Sequence, residues 1–196
     1  MNIRKAEISR KTSETDIKIR LCLDGSGQCS ANTGIGFFDH MLNSFARHGL
    51  FDLTVDVHGD LEVDSHHTIE DTGIVLGEAI KKALGDKKGI KRFGYFILPM
   101  DESLVLASLD LSVRPFLNYQ IPLTVERVGT MDTEMVREFF YAVSYSCGMN
   151  LHLKLLDGLN NHHIIEAAFK AFGKALDAAV SYDDRITDVL STKGSL

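Results

Sequence analysis

The sequence predicts an α/β protein (more narrowly α+β) made of two similar modules, each a sheet with helices on one face. Strand-like and helix-like patterns alternate along the chain, and the order β-β-α-β-α occurs twice. A His-His-x-x-Glu motif followed by an apolar helical stripe also occurs twice, at residues 66–70 and again 96 residues later at 162–166. Residues 1–90 are therefore predicted to form the first module and residues 91–196 the second, with the joint in the Gly- and Lys-rich stretch near residues 85–92.

Each module is predicted to open with an antiparallel strand pair, because short turns separate its first two strand-like segments. These segments are residues 6–10 and 17–23 in the first half, and 95–98 and 104–111 in the second. A helical pattern then ends near Gly49 or Gly148, and a strand at 53–57 or 151–155 precedes the motif helix. Because the helices cover only one face of each sheet, the bare faces are expected to pack on each other or on neighbouring subunits.

The composition of the chain disfavours several functions. With 196 residues, of which 44% are hydrophobic, the chain can bury a core without disulfides. A formal net charge of −6 disfavours non-specific nucleic-acid binding, and no run approaches the ~18 apolar residues of a membrane span. No secretory signal is visible in the first 20 residues. The cysteines lack CxxC spacing and indicate reduced thiols of a cytoplasmic protein: Cys22, Cys29 and Cys147.

The paired histidines predict metal binding. Adjacent residues on a helix diverge by about 100°, so His66 and His67 point too far apart to bind the same ion, whereas Glu70 lies one turn from both. The second motif repeats this arrangement with His162, His163 and Glu166. A single His-His pair is more often a surface or capping feature. Two matched pairs in a duplicated fold instead favour a two-metal site, with donors suited to Mn²⁺, Fe²⁺, Co²⁺ or Zn²⁺.

The helix before each motif carries a further candidate ligand. His40 in the first half has Glu138 as its counterpart in the second, and both residue types ligate metals. Glu138 is equally able to pair with Arg137 or Lys154. His48 is a candidate catalytic residue, although its place beside Gly49 is also typical of a cation at a helix C-terminus.

Longer motifs point to a known family. They are the segments at residues 11–15, 36–42, 48–49, 64–73, 99–102, 114–115, 161–172 and 191–194. Together they closely resemble imidazoleglycerol-phosphate dehydratase over nearly the whole chain, in the monofunctional form that lacks an extra phosphatase domain. The resemblance implies a duplicated fold of the ribosomal-S5-domain-2-like type and a homo-oligomeric shell of 24 subunits with sites between subunits. It also implies dehydration of imidazole glycerol phosphate to imidazole acetol phosphate and water, in histidine biosynthesis, at two Mn²⁺ ions.

The same resemblance assigns roles to individual residues. One metal is assigned to His40, His66, Glu70 and His163, and the other to His67, His162 and Glu166 with a ligand at position 138. Many members of the family have His at that position, where this chain has Glu138. Glu14 is the implied proton-transfer residue and also a substrate contact. The substrate phosphate is expected to bind Arg92, Arg114, Lys170, Ser191 and Lys193, since Arg binds phosphate in a bidentate manner and Lys acts as a point charge.

Other functions stay open at this point. A two-metal hydrolase would use similar donors to cleave a phosphoester, and it would release phosphate where a dehydratase forms a ketone. A metal-binding or storage shell would give no reason for Glu14 and the basic residues. A nucleotide kinase would need a Gly-rich phosphate loop, whereas Gly25-Ser-Gly27 is a hairpin turn at most.

Overall fold

The computed structural model describes residues 3–195 and contains two four-stranded sheets and four helices. The helices are α1 (Gly36–Gly49), α2 (His66–Leu84), α3 (Met135–Cys147) and α4 (Asn161–Val180). The strands are β1 (Lys5–Lys11), β2 (Thr15–Cys22), β3 (Cys29–Asn32), β4 (Asp52–Gly59), β5 (Phe93–Met100), β6 (Ser103–Asp110), β7 (Phe116–Gln120), β8 (Arg127–Val128), β9 (Met131–Asp132) and β10 (Asn150–Asp157).

The two sheets have the same topology, which confirms the predicted duplicated α/β fold class. Their strand orders are β1-β2-β4-β3 and β5-β6-β10-β7, and in each the last strand is parallel to its neighbour while the other pairs are antiparallel. The predicted order β-β-α-β-α therefore missed one strand in each half: β3 in the first and β7 in the second. The small hairpin of β8 and β9 was also absent from the prediction. The division of the chain into domains at residue 90 stays a prediction.

The two halves pack through their helices. α2 covers β1 and β2, α4 covers β5 and β6, and across the halves α2 packs on α3 while α1 packs on α4. Glycines permit the close approach: a Cβ on Gly73 would lie 2.8 Å from the Phe139 carbonyl oxygen, and one on Gly173 would lie 2.5 Å from that of Phe45. The bare sheet faces were expected to pack on each other or on neighbouring subunits. Within the chain they do not pack on each other, because the helices of both halves lie between the sheets. Packing on neighbouring subunits stays a prediction.

A cluster of phenylalanine rings joins α1, α3 and α4. Phe169 stacks on Phe139 with ring centroids 5.1 Å apart and lies 4.9 Å from Phe140. Phe139 contacts Phe38 edge-on at 5.3 Å, and Phe140 contacts Phe172 at 5.5 Å. All five side chains are buried, and each contributes roughly 1.5–3 kcal/mol by leaving water. The cluster therefore holds together three of the four helices that carry candidate metal ligands, the fourth being α2.

The outer faces of the two sheets differ in character. Strands β1 and β2 expose charged side chains, with Lys18 and Arg20 both paired to Glu7. The second sheet instead exposes large apolar residues, among them Tyr95 at 74% and Ile97 at 49% exposure. None of the four helices in residues 3–195 combines the length and apolarity that a membrane crossing requires.

Candidate metal centre and anion pocket

A His/Glu cluster lies where α1 and α4 meet. His40 Nε2 is 3.3 Å from Glu166 Oε2, and His162 Nε2 is 3.2 Å from the same oxygen. The start of α4 is defined by Asn160, whose side chain accepts hydrogen bonds from the N–H groups of His162 and His163. The close contact of α4 with α1 then places Glu166 one turn along, beside His40.

The donors of this cluster fit a divalent metal ion. Ligand atoms of His40, His162 and Glu166 all lie within 4.8 Å of one another. Neighbouring ligands of an octahedral ion with bonds of about 2.1 Å lie about 3 Å apart, close to the 3.3 and 3.2 Å that separate Glu166 from His40 and His162. Burial opposes ionisation of Glu166, but a 2.7 Å ion pair of its Oε1 with Lys170 and the nearby His40 outweigh it, so the pKa is lowered. The carboxylate is therefore charged, and its Oε2 faces the two imidazoles while Oε1 faces Lys170.

The start of α2 carries the matching first-half residues. His66 Nε2 is 3.3 Å from Glu70 Oε2, and the corresponding distance from His162 to Glu166 is 3.2 Å. His67 donates its Nδ1–H to Asp60 at 3.0 Å, which raises the pKa of His67 and leaves Nε2 facing Glu14 at 3.8 Å. The two motifs thus present the same i,i+4 His–Glu pair, and each second histidine is turned toward other carboxylates.

His163 is oriented in the same manner as His67. Its Nδ1–H donates to Glu102 at 2.8 Å, which raises the pKa of His163 and holds the pKa of Glu102 at about 2. A carboxylate behind a histidine fixes the tautomer and aims Nε2 at a metal. Neither Asp60 nor Glu102 was a predicted site residue. Glu102 lies in a segment that supports the family resemblance, whereas no sequence signal marks Asp60.

The two sets of metal ligands implied by the resemblance are not brought together within one chain. Among residues 3–195, His40, His162 and Glu166 form the one group of three donors close enough to share an ion. His40 therefore lies beside ligands assigned to the other metal. Glu138 pairs instead with Arg137, with Nη1 to Oε1 at 2.6 Å. The full ligand sets, including Glu138, stay predictions for an assembly of chains.

The two catalytic candidates occupy different surroundings. Glu14 is exposed in the β1–β2 turn, and its carbonyl accepts a hydrogen bond from the backbone N–H of Asp60 at 3.1 Å, which ties the turn to the His67 side of the site. His48 lies two turns after His40 on α1, and its Nδ1–H donates to the Ser44 carbonyl at 2.9 Å. This contact satisfies a backbone carbonyl near the C-terminal end of α1 and does not distinguish the two interpretations of His48. Its catalytic role stays a prediction.

Four of the five predicted phosphate residues line one pocket of about 960 Å³. They are Arg92, Arg114, Ser191 and Lys193; Lys170 instead lies at the His/Glu cluster. Arg92 forms two hydrogen bonds to Asp110, at 2.7 and 3.0 Å, and donates another to the Leu190 carbonyl at 2.6 Å. Arg92 thus fixes the C-terminal segment that forms the other wall of the pocket.

These features define a two-module α/β protein with a His/Glu centre able to hold a metal ion and a separate basic pocket. The family model of imidazoleglycerol-phosphate dehydratase (IGPD) matches residues 33–176. The chain belongs to the imidazoleglycerol-phosphate dehydratase family. It is therefore an enzyme, a carbon–oxygen hydro-lyase of histidine biosynthesis.

Relatives and solved structures agree with this assignment. Imidazoleglycerol-phosphate dehydratase from Lachnoclostridium phytofermentans is 67% identical over 98% of both chains, and that from Acetivibrio thermocellus is 61% identical over 98% of this chain and 99% of its own. The crystal structure of the Staphylococcus aureus enzyme superposes with a TM-score of 0.83 at 38% identity, covering 91% of this chain and 99% of the other. IGPD from Pyrococcus furiosus also gives 0.83, at 35% identity, covering 96% and 100%.

Proposed function

We propose that the chain dehydrates imidazole glycerol phosphate to imidazole acetol phosphate at two manganese ions that subunits share. The observation that carries this proposal is the matched arrangement of the two motifs. In each, the first histidine lies 3.2–3.3 Å from the glutamate four residues on. In each, the second histidine is held through Nδ1 by a carboxylate. A metal-storage role would not require such orientation next to an exposed Glu14.

The chemistry divides between the metal ions and side chains of the chain. Bound Mn²⁺ would supply a Lewis acid that favours the deprotonated form of the substrate imidazole ring. Loss of water then requires that a proton leave the carbon bearing one hydroxyl while the hydroxyl beside the ring departs. Glu14 is suited to move that proton, because its carboxylate is exposed and lies 3.8 Å from His67 Nε2.

The substrate phosphate is assigned to the pocket formed by Arg92, Arg114, Ser191 and Lys193. Arg114 and Lys193 have no ion pair among residues 3–195, so both charges are available to an anion. The phosphate contact of Lys170 stays a prediction, and within the chain this lysine has a further task. Its 2.7 Å contact with Glu166 Oε1 holds the carboxylate in place for a metal at Oε2.

Assembly of subunits is part of the proposal, with 24 copies in a shell. Three donors at the α1–α4 cluster leave coordination positions that ligands from a neighbouring chain would fill. The apolar outer face of the second sheet is a candidate contact surface, since exposed apolar patches mark interaction sites. A cytoplasmic location is also proposed, in keeping with three cysteines that form no disulfide: Cys22, Cys29 and Cys147.

The proposal is tested by removing and restoring the metal. Chelation should abolish turnover and reduce the particle size measured by light scattering, and added Mn²⁺ should restore both, because unpaired ligands at an empty interface are costly to desolvate. Glu166→Gln should lower the metal content per chain, whereas the matched change Glu78→Gln, at an exposed position of α2, should not. Full turnover by metal-free protein would contradict the proposal. Release of inorganic phosphate as the main product would indicate a hydrolase instead.

A further inference from the structure

Ser112 is a buried hydroxyl that has no hydrogen-bond partner in residues 3–195. It follows strand β6, is 4% exposed, and lines the same pocket as Arg92 and Arg114. A buried hydroxyl without a partner lowers stability, so native proteins rarely retain one without a reason. Its position in the wall of a basic pocket indicates that the missing partner is a ligand.

The backbone around Ser112 is held firmly. The buried Lys87 donates from Nζ to the Leu111 carbonyl at 3.0 Å, and the Leu111 N–H donates to the Arg92 carbonyl at 3.2 Å. The next residue, Val113, adopts a left-handed conformation with φ of 55°, which is rare for a β-branched side chain. Arg92 on the facing segment is also left-handed, with φ of 69°. Such backbone outliers concentrate at functional sites, where the surrounding structure maintains them.

The charges around the pocket favour an anion. The Arg92 charge is balanced by Asp110 and that of Arg185 by Asp183. The pocket-lining Asp188 is 3.7 Å from Lys88. This leaves Arg114 and Lys193 as cations without acidic partners among the described residues, beside a neutral hydroxyl donor. Two positive charges and a hydroxyl match a phosphate monoester, which carries up to two negative charges and several acceptor oxygens.

We propose that Ser112 donates a hydrogen bond to the substrate phosphate from the wall of this pocket. The inference rests on the proposed placement of the phosphate there, and it adds a contact that neither the sequence motifs nor the resemblance assigned. Because Lys87 and Arg92 hold Leu111 from two sides, the backbone next to Ser112 is fixed before the ligand arrives. Binding then supplies a partner to the Ser112 hydroxyl with little rearrangement of the backbone.

The test measures inorganic phosphate binding by calorimetry on the assembled, metal-loaded enzyme. Ser112→Ala should raise the Kd about tenfold or more, the loss expected for a hydrogen bond to a charged group. The matched variant Ser195→Ala removes an exposed hydroxyl from the same pocket and should leave the Kd unchanged. Without phosphate, Ser112→Ala should melt at the same temperature as the parent or higher, because it removes an unpartnered polar group.

Two results would overturn the role of Ser112. One is an unchanged phosphate Kd in Ser112→Ala, or an equal loss in Ser195→Ala. The other is a lower melting temperature of Ser112→Ala without phosphate, which would assign the hydroxyl a structural task. Arg114→Ala separates this failure from that of the proposed phosphate site. If Arg114→Ala binds phosphate weakly and Ser112→Ala binds it normally, only the Ser112 inference fails. If neither change matters, the phosphate site lies elsewhere and both proposals fail.

Discussion

Replacement of Phe169 by alanine should sharply destabilise the protein and loosen the helices that carry the candidate metal ligands. Phe169 is fully buried on α4, between Glu166 and Lys170. Its ring stacks on Phe139 of α3 at 5.1 Å, and Phe139 in turn contacts Phe38 of α1. The ring therefore joins α4 to α3 directly and to α1 through Phe139.

The size of the effect follows from these contacts. Truncation of a buried phenylalanine to alanine costs about 3–5 kcal/mol, which includes the cavity that it leaves. Each aromatic pair contributes about 0.5–1.5 kcal/mol beyond burial, so Phe169→Ala belongs in the upper part of that range, at about 4–5 kcal/mol. Because typical domains are stable by about 5–15 kcal/mol, the variant should retain its fold with little reserve. Phe169→Leu keeps most of the volume and should cost less than about 1.5 kcal/mol.

These differences are measured by urea unfolding of the metal-free variants, all at the same protein concentration. A change in stability appears as a shift of the urea midpoint, while the slope of the unfolding free energy against urea stays constant. Tyr145→Ala is the control, because Tyr145 is 44% exposed on α3 and its ring contacts that of Tyr141. The control should lose no more than about 1 kcal/mol. A loss below that value in Phe169→Ala would refute the argument that the ring cluster holds the three helices together.

Three further changes test separate parts of the account. Glu14→Gln should keep its metal content and lower kcat at least roughly 10²-fold in a steady-state assay, and near-normal turnover would remove Glu14 from catalysis. Burial lowers the pKa of Lys87 in the folded protein below its ordinary value of 10.5. Between the two pKa values the unfolded protein therefore binds more protons at Lys87 than the folded protein does. The parent should therefore gain stability relative to Lys87→Met as the pH rises toward the ordinary value, and a constant difference in urea unfolding would argue against it. Val113→Gly should raise the free energy of unfolding by about 0.5 kcal/mol through relief of left-handed strain, whereas Val113→Ala should not.

Much of the fold could be predicted because apolar periodicity reports helices and strands directly. The strand β3 could not, since its four residues, Cys29–Asn32, alternate only two small apolar side chains with polar ones, too short a pattern to predict a strand, and pair through their backbone with β4. Periodicity also identifies which face of an element is apolar, but not which element covers it. The packing of the halves through α2 with α3 and α1 with α4 therefore required the structure.

The candidate site divides in a similar way. The repeated motif marked His66 and His162 with their glutamates, because residues four apart share a helix face whatever the tertiary fold. Asp60 reaches His67 only because the end of β4 lies beside the start of α2, a relation that no local pattern encodes. That the Ser112 hydroxyl is buried without a hydrogen-bond partner in residues 3–195 likewise could not be predicted, because it depends on which atoms the fold packs around it.

Anomalous diffraction at the manganese edge, from crystals of the Mn²⁺-loaded enzyme, tests the central claim most directly. The account predicts two manganese peaks per chain, one of them at Glu166 Oε2, each bound by residues from more than one subunit. A single peak per chain, or two ions coordinated entirely by residues of one chain, would contradict the account.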